Sequence, residues 1–278
     1  MKNEVKEMVV DYKQHYDDNY WLGRKTFDSP DGKRRVYHGP ALTWDGFQFI
    51  ADAVAPLVPG KSILDIGCSA GDLAKRFLAK GYDAYGVDIS EYAIKNTVPE
   101  MKGRTALVDI TTCPEYVRMY HPVAEEARLP GVVYEFVDGK HYEGLPDAFD
   151  VVMATDLLEH IYEEDLDRTF EWMMSRTKRW MFFCVATALP PTAPGFDPNK
   201  IEFVHRKGEP VPVEWQATAV SGHVNVRRFS WWARFFTQRR LEIKWKEMYM
   251  LQAQREMNPA WRDTMGWNMQ TTFILQKV

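Results

Sequence analysis

Two groups of residues in this sequence carry chemistry by their types and spacing. The first is Asp65-Ile66-Gly67-Cys68-Ser69-Ala70-Gly71, followed by Asp88 at the distance of about 20 residues at which a carboxylate can accept both hydroxyls of a ribose. Small residues let a backbone come close to a ligand, and Gly67 and Gly71 can adopt the positive φ of a tight turn. The turn lacks the Gly-x-Gly-x-x-Gly spacing that seats a pyrophosphate on a helix N-terminus. Asp65 at its mouth and Asp72 at the following helix start would repel a pyrophosphate but attract a cationic amino-acid tail. The second group is Asp156, Glu159 and His160, which at i, i+3 and i+4 would share one face of a helix. His160 would suit a general base, with an intrinsic pKa of about 6.5. Alternatively, the two carboxylates and the imidazole would bind a divalent metal such as Mg²⁺. In a third reading Asp156 only neighbours the ligand and His160 shapes the pocket. A purely structural role stays open beside these, because carboxylates favour a helix N-terminus.

These groups need a scaffold that delivers them to one place. The apolar run Ile63 to Ile66 reads as a short buried strand, Leu73, Phe77 and Leu78 recur at helical spacing, Gly81 stops that helix, and Asp83 to Ile89 reads as a second strand. Strand, turn, helix, strand is a parallel βαβ unit. A helix over residues 43–58 precedes it. The alternation continues with a helix over Tyr92 to Met101 and strands over Thr105 to Ile110 and Phe149 to Thr155. A helix over Leu157 to Ser175, a strand over Trp180 to Ala186, a helix over Ser230 to Arg239, and strands over Leu241 to Met248 and Thr271 to Lys277 complete it. This predicts an α/β fold with a doubly wound, mostly parallel sheet. Residues 1–45 form an irregular or short-helical arm rather than a sheet, and 46–278 the main domain. Two stretches, about 112–145 and the proline-rich 187–225, exceed an ordinary connection and read as lids near the C-terminal ends of the strands.

With the motifs placed, the sequence resembles the class I S-adenosylmethionine-dependent methyltransferases. LDIGCSAGDLA and GVDIS look like the first two motifs of that family, ALVDIT and FDVVMATDLLEHI like the next two, over roughly residues 60–186. The resemblance implies a seven-stranded Rossmann-like sheet and S-adenosylmethionine as cofactor. It places Asp65, Gly67, Cys68, Ser69 and Gly71 around the methionine moiety, Asp88 on the ribose, Ile89 over the adenine, and Asp109 with Ile110 at its exocyclic amine. Thr155 also falls in the cofactor set. Ser69 stands where the family often has glycine, and Asp138 is a rival to Asp109. Tyr20, Trp21 and Tyr37 are candidates for an aromatic lid over the sulfonium, or for pinning the arm to the body. Asp156-x-x-Glu159-His160 is similar to the Glu-x-x-Glu-His metal site suggested for some ubiquinone-pathway O-methyltransferases and small-RNA 2′-O-methyltransferases. His223 stands roughly where the RNA enzymes have a further His. Asp156, His160 and His223 are therefore the candidates for the reacting end, and Asp156, Glu159, His160 and His223 for metal ligands.

Composition narrows the partners. The 278 residues carry 35 Lys+Arg against 39 Asp+Glu, a net charge of −4, so no global positive field gathers nucleic acid. Arg227, Arg228, Arg234, Arg239 and Arg240 make a basic stretch interleaved with Trp231, Trp232, Phe235 and Phe236, whose helical spacing reads as a core stripe under a solvated face. His38 and His205 sit in loops and read as surface residues. Three cysteines, Cys68, Cys113 and Cys184, suggest reduced thiols in the cytoplasm, and no apolar stretch reaches membrane-spanning length. The expected activity is O-methylation of a small molecule such as a sugar, glycan or natural product, by a monomer or homodimer. The alternatives are a silent S-adenosylmethionine-binding module and an RNA-end 2′-O-methyltransferase.

Overall fold

Ser62–Ile66 (β1) is buried along almost its whole length, as a strand covered on both faces must be. In the computed structural model, which describes residues 8–114, 118–120, 135–137, 140–188, 202–259 and 271–278, β1 is central to a seven-stranded sheet. The others are β2 (Asp83–Asp88), β3 (Thr105–Leu107), β4 (Phe149–Thr155), β5 (Thr177–Cys184), β6 (Leu241–Ile243) and β7 (Thr272–Lys277). Their order is β6-β7-β5-β4-β1-β2-β3. The β1–β2, β2–β3, β1–β4 and β4–β5 pairs are parallel, and β7 runs antiparallel to β5 and β6. The chain leaves β1 toward β2 and β3, then returns to the other side of β1 with β4. That reversal opens a crevice at the C-terminal ends of β1 and β4, the place where such sheets bind ligands.

Six helices accompany the sheet: α1 (Phe47–Val54), α2 (Asp72–Ala79), α3 (Glu91–Lys95), α4 (Glu163–Ser175), α5 (Phe229–Thr237) and α6 (Trp245–Met257). Leu73, Ala74 and Phe77 of α2, Leu166, Phe170 and Met173 of α4, and Trp232, Phe235 and Phe236 of α5 join the strands in one apolar core. The aromatic run of α5 is thus a core stripe. Three of its basic neighbours are taken up in ion pairs: Arg227 with Glu163, Arg228 with Glu202 and Arg239 with Asp167.

Several elements depart from the sequence expectation. The helix expected over Leu157 to Ser175 is divided into a 3₁₀ turn at Leu158–His160 and α4. The Glu159 carbonyl accepts from the Val224 amide and the Tyr162 amide donates to the Tyr12 hydroxyl, so long-range partners take groups that a continuous helix would pair internally. The strand expected over Leu241 to Met248 stops at Ile243, and the Met-, Glu- and Gln-rich Trp245–Met257 is helical, as those residue types favour. β3 ends at Leu107, and Asp109 caps a 3₁₀ turn at Ile110–Thr112. The arm holds two short helices, Tyr12–His15 and Asp18–Trp21, and also an antiparallel hairpin of Thr26–Asp28 with Arg34–Val36. Both insertions contain small sheets: Arg118–Tyr120, Lys140–Gly144 and Glu135–Val137 in the first, Thr187–Ala188, Asn225–Arg228 and Phe203–Val204 around the second. His205, expected at the surface, is buried against Phe203 and bonded to the Glu209 carbonyl. Asp138 lies outside the described residues. No helix among the described residues is long and apolar enough to cross a membrane.

Candidate active site

At the ends of the strands lies a cavity of about 390 Å³. Asp65 and Ile66 from β1, Val87 and Asp88 from β2, and Thr155 from β4 reach it, together with Gly67, Cys68, Ser69, Ile89, Asp109 and Ile110. Every expected cofactor residue except Gly71 therefore lines this cavity, Tyr20 reaching it from the arm. Gly71 is the N-cap of α2, with φ +82°. Gly67 and Ser69 also have positive φ, 77° and 52°. Glycine meets that demand freely, whereas serine bears some strain in a left-handed conformation. Ser69 is held there by its amide, which donates to Asp88 Oδ2 at 2.8 Å, while the Ser90 amide donates to Oδ1 at 2.8 Å.

The electrostatics favour a cationic ligand tail. Asp65 is buried, and Oδ1 has no hydrogen-bond partner among the described residues; nor has Ser69 Oγ. Burial and the nearby Asp88 push the Asp65 carboxyl up to about 8, and burial also raises that of Asp88. A positive group placed against Asp65 would supply the missing partner and restore the charged form. Asp72, by contrast, is occupied: Oδ2 accepts from the Trp44 amide at 2.9 Å and Lys75 lies 3.0 Å from Oδ1. Its part is to tie the arm to α2. Asp109 accepts from both the amide and the hydroxyl of Thr111, at 3.1 and 2.6 Å, through one oxygen.

The lining also includes the rings of Tyr12, Tyr16, Tyr20, Trp21, Tyr37 and Phe47, with His160 and His223. Among the described residues no lysine or arginine lines the cavity. The rings of His160 and His223 meet edge to face at 4.8 Å. Glu159 lies beside them, fully buried, with Oε1 accepting from the Ala186 amide at 2.8 Å and Oε2 without a partner among the described residues. One ligand atom each from Glu159, His160 and His223 lies within 4.8 Å of the others. Asp156 lines the cavity but is not one of that group, and its φ of +51° marks a strained turn at the end of β4. Burial and the neighbouring His223 hold His160 well below its usual range, burial lowers His223 to about 4, and burial with Asp156 raises Glu159 to about 8. Both shifts favour the neutral imidazole.

Residues 41–243 match the family described as "Methyltransferase domain". The chain belongs to that family. The class I resemblance drawn from its motifs and the sheet order agree with this membership. Relatives include ubiquinone biosynthesis O-methyltransferases from Thiobacillus denitrificans, 32% identical over 111 residues (40% of this chain, 37% of the relative), and from Aliivibrio fischeri, 29% over 102 residues (37% and 34%). The matched segments thus span about a third of those relatives' length. Similar solved structures include the YcgJ protein of Bacillus subtilis, with 15% identity over 83% of this chain and 94% of that one, TM-score 0.44. Another is a magnesium protoporphyrin IX methyltransferase of Synechocystis with bound S-adenosylmethionine, 15% identical over 84% and 80%, TM-score 0.41.

The sequence did not single out Tyr16, Ser90 or Gly222. Ser90 Oγ accepts from Trp21 Nε1 at 2.7 Å and donates to the Tyr16 carbonyl at 2.6 Å, fastening the arm beside Asp88. Partners 69 and 74 positions apart leave no periodic trace, so only the hydroxyl following Val87-Asp88-Ile89 hinted at a cap for α3.

Proposed function

We propose that this family member is an S-adenosylmethionine-dependent methyltransferase acting on a hydroxyl of an uncharged small molecule such as a sugar, glycan or ring-bearing natural product. The observation that carries the reading is one cavity whose lining brings together the cofactor motifs, a set of aromatic rings and two histidines. The absence of lysine and arginine from its described lining favours an acceptor without phosphate and disfavours an RNA end.

In this reading Asp65 holds the ammonium of the cofactor's amino-acid tail, Asp88 accepts the ribose hydroxyls, and Ile89, Asp109 and Ile110 border the adenine. Cys68, Ser69 and Thr155 line the same cavity, Gly71 caps the helix that follows the turn, and Tyr20 closes the site from the arm. Bound S-adenosylmethionine supplies a sulfonium methyl; attack by the acceptor oxygen forms the O–C bond while the S–C pair returns to sulfur. Because the methyl is already activated, the protein's work is alignment and deprotonation. His160, neutral and at the cavity, receives the hydroxyl proton; Asp156 and His223 frame the same space.

One observation favours a second way of activating the hydroxyl. The unpartnered Oε2 of Glu159 beside two neutral imidazoles is a donor set for a divalent ion, and two nitrogens with one carboxylate suit a transition metal better than Mg²⁺, which prefers oxygen. Glu159, His160 and His223 would hold it, and it would supply Lewis acidity to the acceptor hydroxyl. The test is a screen of hydroxylated acceptors for S-adenosylhomocysteine release, repeated with EDTA and with His160→Ala. Turnover that survives EDTA and is lost in His160→Ala supports His160 as base, and turnover lost to EDTA and restored by a divalent ion supports the metal. Cofactor binding without turnover on any acceptor contradicts the enzymatic reading.

A further inference from the structure

We infer that Tyr16, in the N-terminal arm, is a positioning residue that fixes the orientation and tautomer of His160 when the arm is docked. The inference rests on the reading of His160 as the group that receives the acceptor's proton.

Tyr16 is tied down at both ends. Its carbonyl accepts from Ser90 Oγ at 2.6 Å, next to the cofactor carboxylate Asp88, and its hydroxyl lies 2.8 Å from His160 Nδ1. One arm residue thus links the ribose end of the cavity to the reacting end. The backbone opposite is shaped for this contact. A Cβ on Gly222 would stand 2.3 Å from the Tyr16 hydroxyl oxygen and 2.6 Å from His160 Nδ1, and Gly222 has φ +93°, so only glycine fits there. Neighbouring arm residues hold the same segment: Tyr20 donates its hydroxyl to the Ser221 carbonyl at 3.1 Å, and His15 Nε2 lies 3.1 Å from the Val220 carbonyl.

A neutral imidazole carries one proton, and the partner of one nitrogen decides which it is. Gly222 stands on the Nδ1 side, where a Cβ would lie 2.6 Å from that nitrogen, and its backbone favours a proton on the ring. The Tyr16 hydroxyl can donate or accept, whereas a backbone carbonyl only accepts, so the arrangement assigns the proton to Nδ1. Nε2 is then the nitrogen left to accept a proton. An undocked arm would remove Tyr16 and leave the ring free to rotate and to exchange tautomers.

The test uses the full chain, freed of metal with EDTA and loaded with S-adenosylhomocysteine, and compares wild type with Tyr16→Phe, which keeps the ring and its backbone bond to Ser90. Long-range ¹⁵N–¹H NMR of the histidine side chains is expected to show His160 as a single Nδ1–H tautomer in wild type and as a mixture in Tyr16→Phe. The dissociation constant for S-adenosylhomocysteine should stay within about twofold, because the ribose contacts are untouched. On any acceptor found in the screen, kcat should fall about 10- to 100-fold at unchanged acceptor KM, the usual effect of removing an orienting partner. An Nε2–H tautomer in wild type, or the same tautomer in both proteins, overturns the inference. His160→Asn tests the underlying reading separately: if it turns over like wild type, His160 is not the proton acceptor whatever Tyr16 does.

Discussion

Replacing Asp88 with Asn changes one oxygen for an NH₂ and should disturb both the fold of the site and its ligand. Asp88 is 9% exposed, and its two oxygens take the Ser69 and Ser90 amides at 2.8 Å each. An Asn side chain offers one acceptor and one donor, so in either orientation one backbone N–H loses its acceptor and faces another donor. Leaving a buried donor unsatisfied costs about 1–3 kcal/mol. Burial already raises the Asp88 carboxyl above its ordinary range, so a neutral side chain recovers part of a desolvation cost, and the stability loss should fall toward the lower end. Ligand affinity has no such offset. The ribose loses hydrogen bonds to a charged acceptor, worth about 1.5–3 kcal/mol, or roughly 10- to 150-fold in dissociation constant. Urea unfolding of the cofactor-free variant and calorimetric titration with S-adenosylhomocysteine measure the two effects on one preparation. A variant that binds within twofold of wild type would refute the assignment of Asp88 to the ribose, whatever its stability.

Gly67→Ala should destabilise by about 1–2 kcal/mol for the left-handed conformation alone, and more because the new methyl would stand 3.1 Å from Leu157 Cδ1; an unchanged urea midpoint would contradict this. Because burial and Asp88 raise Asp65 to about 8 in the folded chain, the folded state keeps a proton that the unfolded chain releases near pH 4. Stability of the cofactor-free protein should therefore fall as pH rises from about 4 to 8. Asp65→Asn should flatten that slope, and parallel curves for the two proteins would show that Asp65 does not titrate there. Ser90→Ala removes the N-cap of α3 and both ties to the arm. It should cost about 1–2 kcal/mol and speed proteolysis between residues 8 and 44, whereas a wild-type cleavage rate would mean that the arm is held by other contacts.

What could be read in advance divides along the range of the interactions. β1, β2, β4 and β7 follow from local apolar runs, and their order in space follows from alternation and the rules of parallel crossovers. That Asp65 through Ser69 and Asp88 meet at one cavity was legible for the same reason, since the first group lies on one turn and Asp88 ends the adjacent strand. The reacting end was less so. Asp156, Glu159 and His160 have helical spacing, yet the Val224 amide and the Tyr12 hydroxyl, from opposite ends of the chain, break the helix at that point. Tyr16 meets His160 across 144 positions, and no spacing in a single sequence records that pairing. The α5 aromatics lie in the core with rings from the sheet and other helices, whereas the arm's tyrosines line the cavity.

The most direct test of the account is titration of the cofactor-free chain with S-adenosylhomocysteine, with NAD as the control ligand. One saturable site per chain is expected for S-adenosylhomocysteine and no competition from NAD, in keeping with the missing Gly-x-Gly-x-x-Gly turn and the buried Asp65 oxygen that lacks a partner among the described residues. Saturable NAD binding, or no heat with S-adenosylhomocysteine at concentrations well above those at which methyltransferases bind it, would contradict it.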